Sequence, residues 1–199
     1  MNLEARPRIL PLFPLPDVIL FPGQILPLHI FESRYRQMTR DLLDNAGEII
    51  LGTVLGKDKE RLQENAPVQP IACQGRLQQY QTLEDGRFLV MILGEKRVRI
   101  HPHIGNQLYP EARIEDLVES SSFTSDQQTR SLQESISELK NDVDLPEDTS
   151  AQQLSDILIM ITPMSTEQRY RLFSTPSLAD RVELILEMQP PSDKDAPDE

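Results

Sequence analysis

The chain of 199 residues has no tryptophan, one cysteine and few aromatic side chains. Cys73 alone cannot form an intramolecular disulfide, so nothing indicates an oxidising compartment. No segment approaches the roughly 20 apolar residues that a membrane-spanning helix needs, and the first residues lack the apolar centre of a signal peptide. We therefore expect a cytoplasmic protein with a core of aliphatic side chains.

Positive charge is also scarce, because 20 Lys and Arg residues face 32 Asp and Glu residues and the net charge is −12. Nucleic acids and anionic membranes are bound by clustered basic side chains. The composition therefore predicts no nucleic-acid partner and no membrane partner. Arg76, Arg97 and Arg99 are predicted along one sheet face, which is either a solvated surface or a small basic surface for an anionic peptide.

Prolines, in contrast, are frequent between Leu10 and Arg36, where they interrupt an apolar stretch and exclude a helix. This pattern predicts short strands at 9–13, 18–21 and 25–29, with a turn at Phe21-Pro22-Gly23. Beyond Pro27 the spacing becomes helical and predicts a helix over 32–45, ended by a glycine in left-handed geometry. The spacing places four residues on its core face: Phe31, Tyr35, Met38 and Leu42.

The middle of the chain reads as strands. A buried strand is predicted at 49–55, followed by an exposed loop at 57–65 and an alternating strand from Gln69. Asp85-Gly86 predicts a hairpin to a strand at 88–93, and Gly94-Glu95 predicts a further turn before a strand at 96–100. A last strand is predicted at 109–117. Many short strands with one early helix indicate an α+β fold with a small, bent, barrel-like, mostly antiparallel sheet.

Beyond a polar stretch at 119–126 the apolar spacing is helical. Ser-x-x-Gln patterns at Ser150 and Ser165 match capping boxes, and Ser177 to Asp180 resembles a third. The second half is therefore predicted to be a helical bundle. We expect a β-rich lobe over 1–118, a helical lobe over 119–189 and a disordered acidic tail over 190–199.

Three strings in the first stretch resemble the opening of the Lon N-terminal, or substrate-binding, domain: Pro11–Pro14, Phe21–Gly23 and PLHIFESRY at 27–35. The later string 85–87 and the string GEKRVRI at 94–100 resemble the family more loosely, with Val98 where an aromatic residue is more usual. The resemblance implies a PUA-like sheet followed by a helical extension. It also implies a domain that binds protein substrates, often unfolded segments, before degradation.

No enzymatic site stands out. The string 52–58 is too short between its glycines for a P-loop and has Asp58 where Ser or Thr would hold Mg²⁺. His101 and His103 lack further ligands, so we expect no metal and no cofactor. His29, inside an apolar signature, is predicted to be a packed core histidine. The ATPase and Ser–Lys protease modules of a full Lon protease do not fit in the remaining residues.

The sequence therefore predicts a standalone, non-catalytic module that binds unfolded or partner polypeptides as an adaptor for a protease or chaperone. The alternative is an RNA-binding module, because the sheet resembles the PUA fold. The candidate partner-binding residues are Phe31, Glu32, Arg34, Tyr35, Arg97 and Arg99. For Glu32 and Arg34 a purely structural role is the competing interpretation, with Glu32 favouring a helix N-terminus and Arg34 pairing locally.

Overall fold

The structure is a computed structural model and describes residues 8–56, 67–119, 125–140, 145–146 and 148–188. The chain divides into two compact units, one ending at Leu117 and one beginning at Val118. The loop predicted at 57–65 and the tail predicted at 190–199 lie outside the described residues. The α+β fold class is confirmed.

The first unit contains six strands and one helix within the described residues. These are β1 (Arg8–Pro16), β2 (Ile25–Ile30), α1 (Ser33–Asp44), β3 (Glu48–Val54), β4 (Ile71–Thr82), β5 (Phe88–His103) and β6 (Glu111–Asp116).

The six strands form one sheet in the order β2-β5-β4-β3-β1-β6, and a further pairing of β5 with β6 makes the sheet ring-like rather than a barrel. All pairings are antiparallel except that of β1 with β3. Among the strands that the structure describes, β2 pairs only with β5 and lies at the edge. Inside the ring is a cluster of small and aliphatic side chains: Leu12, Ile50, Ala72, Val98, Ile100, Ala112 and Ile114.

The segment at 18–21, expected as a strand, has no regular secondary structure. It is tied to β3, because the Thr53 hydroxyl donates to the Val18 carbonyl at 2.8 Å. Leu20 and Phe21 are almost fully buried. A Cβ added at Gly94 would lie 2.2 Å from the Phe21 carbonyl oxygen. Gly94 is therefore required for close packing of this segment on β5.

This packing corrects the prediction of a turn at Gly94-Glu95. Strand β5 runs unbroken from Phe88 to His103, with a register shift at Gln74/Gly75 on the facing strand β4. Its first part pairs with β2 and its last part with β6. One long strand thus pairs with two different strands along its length. The sequence pattern, which indicated two short strands, does not predict this.

The predicted glycine after the first helix and the predicted hairpin at Asp85-Gly86 are confirmed. Gly47 follows α1 with φ +71°, and Gly86 has φ +76° in the hairpin between β4 and β5. In that hairpin the Gly86 N–H donates to the Leu83 carbonyl at 2.8 Å. Both positions need a backbone conformation that glycine adopts without steric cost.

The second unit contains four helices within the described residues: α2 (Asp126–Leu139), α3 (Ala151–Ile161), α4 (Thr166–Ser174) and α5 (Leu178–Glu187). The predicted capping boxes at Ser150 and Ser165 are confirmed, and a further one starts α2 at Ser125. At Ser177 the structure shows only the bond from the Asp180 N–H to the serine side chain. Their apolar faces are buried, with Leu132, Ile136, Leu154, Leu158 and Val182 fully covered. Arg181 is also buried and donates to the Glu119 carboxylate at 3.3 Å.

Candidate functional site

The candidate residues at the junction of β2 and α1 do not share one environment: one is exposed and one is buried in the core. Tyr35 is 5% exposed and its ring meets that of Phe13 edge-on, with 4.4 Å between centroids. Phe31 is 61% exposed, so its predicted place on the core face is wrong. The helix begins at Ser33, and the helical spacing therefore does not apply to Phe31.

Glu32 and Arg34 form a local pair. The Arg34 Nε donates to Glu32 Oε2 at 3.1 Å, and the guanidinium lies 4.6 Å from the centre of the Tyr35 ring. Glu32 is the N-cap of α1 without a side-chain cap bond. Burial raises the pKa of the Tyr35 hydroxyl, and the nearby Arg34 charge opposes this rise. Both charged side chains thus have a structural role, and a role in partner contact stays a prediction.

The expected basic sheet face is not formed by the three arginines. Arg97, predicted to point outward, is 1% exposed, and its guanidinium lies 5.8 Å from the Phe21 ring centre. The segment before β2 covers this part of β5, so Arg97 offers no surface to a partner. Arg76 is held by Glu95, with Nε to Oε1 at 2.6 Å. Arg99 remains exposed.

An exposed apolar surface lies instead on the outer side of β2 and the adjoining part of β5. Pro27 pairs with Met91 and His29 with Leu89, so their side chains share one side of the sheet. The large apolar members are markedly exposed: Ile25 56%, Leu89 42% and Met91 40%. We call this surface the β2–β5 face and define it as Ile25, Pro27, His29, Phe31, Leu89 and Met91.

His29 is exposed in this face, which corrects its prediction as a packed core histidine. Its ring lies 5.9 Å from that of Phe31, and Phe31 thereby extends the face beyond the end of β2. Sequence reasoning placed Phe31 among the candidate residues, yet it missed Ile25, Leu89 and Met91. Their apolar side chains occupy alternate positions along β2 and β5, and this alternation was the available indication that they share one side of the sheet.

A cavity of about 530 Å³ lies against these strands. No Asp, Glu, Lys or Arg side chain is among its lining residues: Pro27, Leu28, His29, Gln79, Tyr80, Gln81, Leu89, Val90 and Met91. An uncharged lining beside an exposed apolar face is suited to apolar groups, because a charged group would lose its hydration there without gaining a counter-ion.

A second cavity of about 570 Å³ lies where β1, β5 and β6 meet, with Leu12, Ile100 and Leu108 among its lining residues. Tyr109 also lines it, and its hydroxyl donates to Asp41 Oδ2 at 2.7 Å. Burial, and then this hydrogen bond, raise the pKa of the Tyr109 hydroxyl. Arg34 lines this cavity, so the structure places Arg34 and Phe31 on different surfaces.

Metal-ligating side chains are not clustered in the part of the chain that the structure describes. No group of three His, Cys, Asp or Glu side chains there is placed to hold a metal ion. The His101 Nε2 instead lies 3.1 Å from Glu115 Oε2 at an exposed position. Nor is any described helix long and apolar enough to cross a membrane.

Comparison with known proteins identifies relatives along most of the chain. A Lon protease of Flavobacterium johnsoniae is 27% identical over 140 residues, which cover 70% of this chain and 17% of that protein. Lon protease 2 of Desulfotalea psychrophila is 21% identical over 192 residues, which cover 91% of this chain and 25% of that protein. The chain thus spans about a fifth of the length of the curated relatives that it matches.

Solved structures share the fold. A Lon N-terminal domain protein from Xanthomonas campestris superposes with a TM-score of 0.72 at 20% identity and covers 92% of this chain and 99% of that one. The N-terminal domain of the Mycobacterium avium complex Lon protease gives a TM-score of 0.66 at 14% identity, covering 90% and 97%. The model of the ATP-dependent protease La (LON) substrate-binding domain matches residues 9–188, and the chain therefore belongs to this family.

Proposed function

We propose that the chain is a non-catalytic substrate-recognition module that binds apolar segments of unfolded or partner polypeptides. In this proposal it acts in the cytoplasm as an adaptor in proteolysis or protein quality control. The observation that carries the proposal is the β2–β5 face, where large apolar side chains are exposed beside an uncharged cavity. Contiguous exposed apolar surface on a soluble domain marks an interaction site.

The size of the face sets the expected affinity. Burying one large apolar side chain fully is worth about 1.5–3 kcal/mol. Ile25, Phe31, Leu89 and Met91 are each about half exposed, so covering all four gives roughly 3–6 kcal/mol before the costs of association. Even without those costs, roughly 3–6 kcal/mol corresponds to dissociation constants from about 6 mM down to about 40 μM, so we expect weak binding. Weak binding of this kind suits a module that takes hold of many sequences and releases them.

The direct test is a titration of the chain against a fluorescently labelled, permanently unfolded polypeptide, followed by anisotropy. The folded parent of that polypeptide is the control. We expect saturable binding to the unfolded form alone. Binding of both forms with equal affinity, or of neither, would count against the proposal.

A matched pair of variants assigns the binding to the face. Leu89 is 42% exposed in the face, and Leu139, at the end of α2 in the second unit, is 37% exposed. Leu89→Ser should weaken binding about fivefold, because about half of a leucine side chain no longer transfers from water. Leu139→Ser makes the same chemical change at similar exposure and should leave binding unchanged.

The adaptor role needs a separate assay, since the named relatives are Lon proteases of which the chain spans only a part. We propose adding the chain in trans to a purified Lon protease together with an unfolded substrate. An adaptor should accelerate degradation of that substrate, and Leu89→Ser should reduce the acceleration. A rate that does not depend on the added chain would refute delivery while leaving polypeptide binding intact.

A further inference from the structure

The open edge of β2 presents backbone groups in a defined order. Among the described residues β2 pairs only with β5. The turn before it is closed by the Gln24 N–H, which donates to the Phe21 carbonyl at 3.1 Å. Gly23 (φ +82°) then forms a bulge opposite Gly94: the Gly23 N–H donates to the Gly94 carbonyl at 2.8 Å, and the Gly94 N–H donates to the Gln24 carbonyl at 2.9 Å.

This bulge fixes the alternation of the ladder. Since Gln24 and Gly94 are hydrogen-bonded, the next hydrogen-bonded pairs fall two and four residues further, at Leu26 and Leu28. The backbone groups of Ile25, Pro27 and His29 therefore face away from β5, toward the open edge. Proline fits this position because it has no N–H to donate.

The edge thus offers the N–H and carbonyl of Ile25, the carbonyl of Pro27, and the N–H and carbonyl of His29. No hydrogen bond of these groups to another described residue is present. An extended peptide placed beside β2 would satisfy them and would gain main-chain hydrogen bonds that do not depend on its sequence.

Side chains and charge indicate which peptide fits. Ile25 is exposed on one side of β2, while Leu26 and Leu28 are half-buried on the other. An added strand would therefore meet apolar neighbours on both of its faces. The cavity beside the strand has no Asp, Glu, Lys or Arg among its lining residues, and the chain as a whole carries −12. A segment with acidic side chains would be repelled, and any charge would lose hydration without a counter-ion.

We propose that the β2 edge captures an extended, uncharged run of consecutive apolar residues by strand addition. Such a run is typical of a strand that is buried on both faces in its own folded protein, so it becomes available only when that protein is unfolded. The inference rests on the proposed function and names its substrate class. Pro27 interrupts the row of donors, which keeps the added ladder short and makes the edge a poor template for self-association.

The test uses three capped peptides with the same run of Val and Leu between Gln residues. The first is unmodified. The second carries N-methyl groups on three alternate residues of the run, which leaves one edge of the peptide with all of its N–H groups. The third carries three N-methyl groups on consecutive residues, which interrupts both edges. Side chains and the number of methyl groups are matched between the second and third peptides.

Strand addition predicts that the alternately methylated peptide binds within about twofold of the unmodified one. The consecutively methylated peptide should bind about tenfold more weakly, the factor expected for losing one or two net hydrogen bonds. Equal affinity of all three peptides would overturn strand addition and leave the apolar-face function standing. Absence of binding by the unmodified peptide would overturn both.

A variant of the protein gives an independent readout. Pro27→Val adds an N–H at the centre of the open edge and keeps an apolar side chain. It should tighten binding of the unmodified peptide about threefold to tenfold, as one net hydrogen bond would. Binding of the consecutively methylated peptide should not change, because methyl groups project from both of its edges and keep its carbonyls out of reach of the added N–H. Equal tightening for both peptides would show that the gain comes from side-chain packing, which would overturn the backbone assignment.

Discussion

The contrast between Tyr35 and Phe31 gives a sharp prediction about stability. Tyr35 is 5% exposed and packs edge-on against Phe13, whereas Phe31 is 61% exposed. Truncating a buried aromatic side chain to alanine costs about 3–5 kcal/mol, so Tyr35→Ala should lower the free energy of unfolding of the first unit by about 4 kcal/mol. Only about two-fifths of Phe31 is covered, and Phe31→Ala should therefore cost about 1 kcal/mol or less.

The measurement is urea unfolding followed through the NMR amide signal of Ile50, which lies in the core of the first unit. This probe separates the first unit from the helical one. Phe31→Ala should also weaken binding of the unfolded polypeptide, because its ring belongs to the β2–β5 face. Equal stability losses for Tyr35→Ala and Phe31→Ala would refute the assignment of one ring to the core and the other to the surface.

Three further predictions concern packing, pH and capping. Gly94→Ala should destabilise the first unit by about 3 kcal/mol, because the new Cβ would lie 2.2 Å from the Phe21 carbonyl oxygen; a loss below 1 kcal/mol in urea unfolding would show that the segment yields. The pKa of the Tyr109 hydroxyl is raised from its ordinary value of 10.0. The protonated hydroxyl therefore stabilises the first unit fully below about pH 10, and this stabilisation is lost as the pH rises further. Tyr109→Phe should reduce the fall in Tm between pH 9 and 11, and an unchanged fall would contradict this. Ser150→Ala should cost the helical unit about 1 kcal/mol, whereas Ser150→Asn should restore most of it, and equal loss in both variants would argue against the cap.

Elements set by short-range chemistry could be predicted from the sequence. The hairpin at Gly86 needs only a turn of suitable residues and two flanking strands. The helix starts at Ser150 and Ser165 follow from two side chains three residues apart. In each case the interacting groups are neighbours along the chain, so the local sequence alone is enough to predict the interaction.

Elements set by long-range packing could not be predicted in this way. Gly94 looks like a turn residue, yet it is needed because Phe21 passes over it from a distant part of the sequence. The same contact buries Arg97, which alternation alone places outward. Residues 18–21 have the composition of a strand, but they cross the sheet instead of joining it.

The candidate surface was predictable only in part. Phe31 stands in a motif that resembles the family, whereas Leu89 and Met91 read only as alternate positions of a strand. Their importance depends on β2 lying beside the first part of β5. Which strands become neighbours in a ring-like sheet is decided by the whole fold, so no local pattern could bring these side chains together.

Binding of non-native polypeptide to the β2–β5 face can be followed residue by residue in a methyl NMR titration. The methyl groups of Ile25, Leu89 and Met91 report on the face, and those of Ile104 and Leu108 report on the other cavity. On addition of an unfolded polypeptide we expect saturable shifts of the first three signals and unchanged positions for the other two. Shifts confined to Ile104 and Leu108, with the face unchanged, would contradict binding at the β2–β5 face.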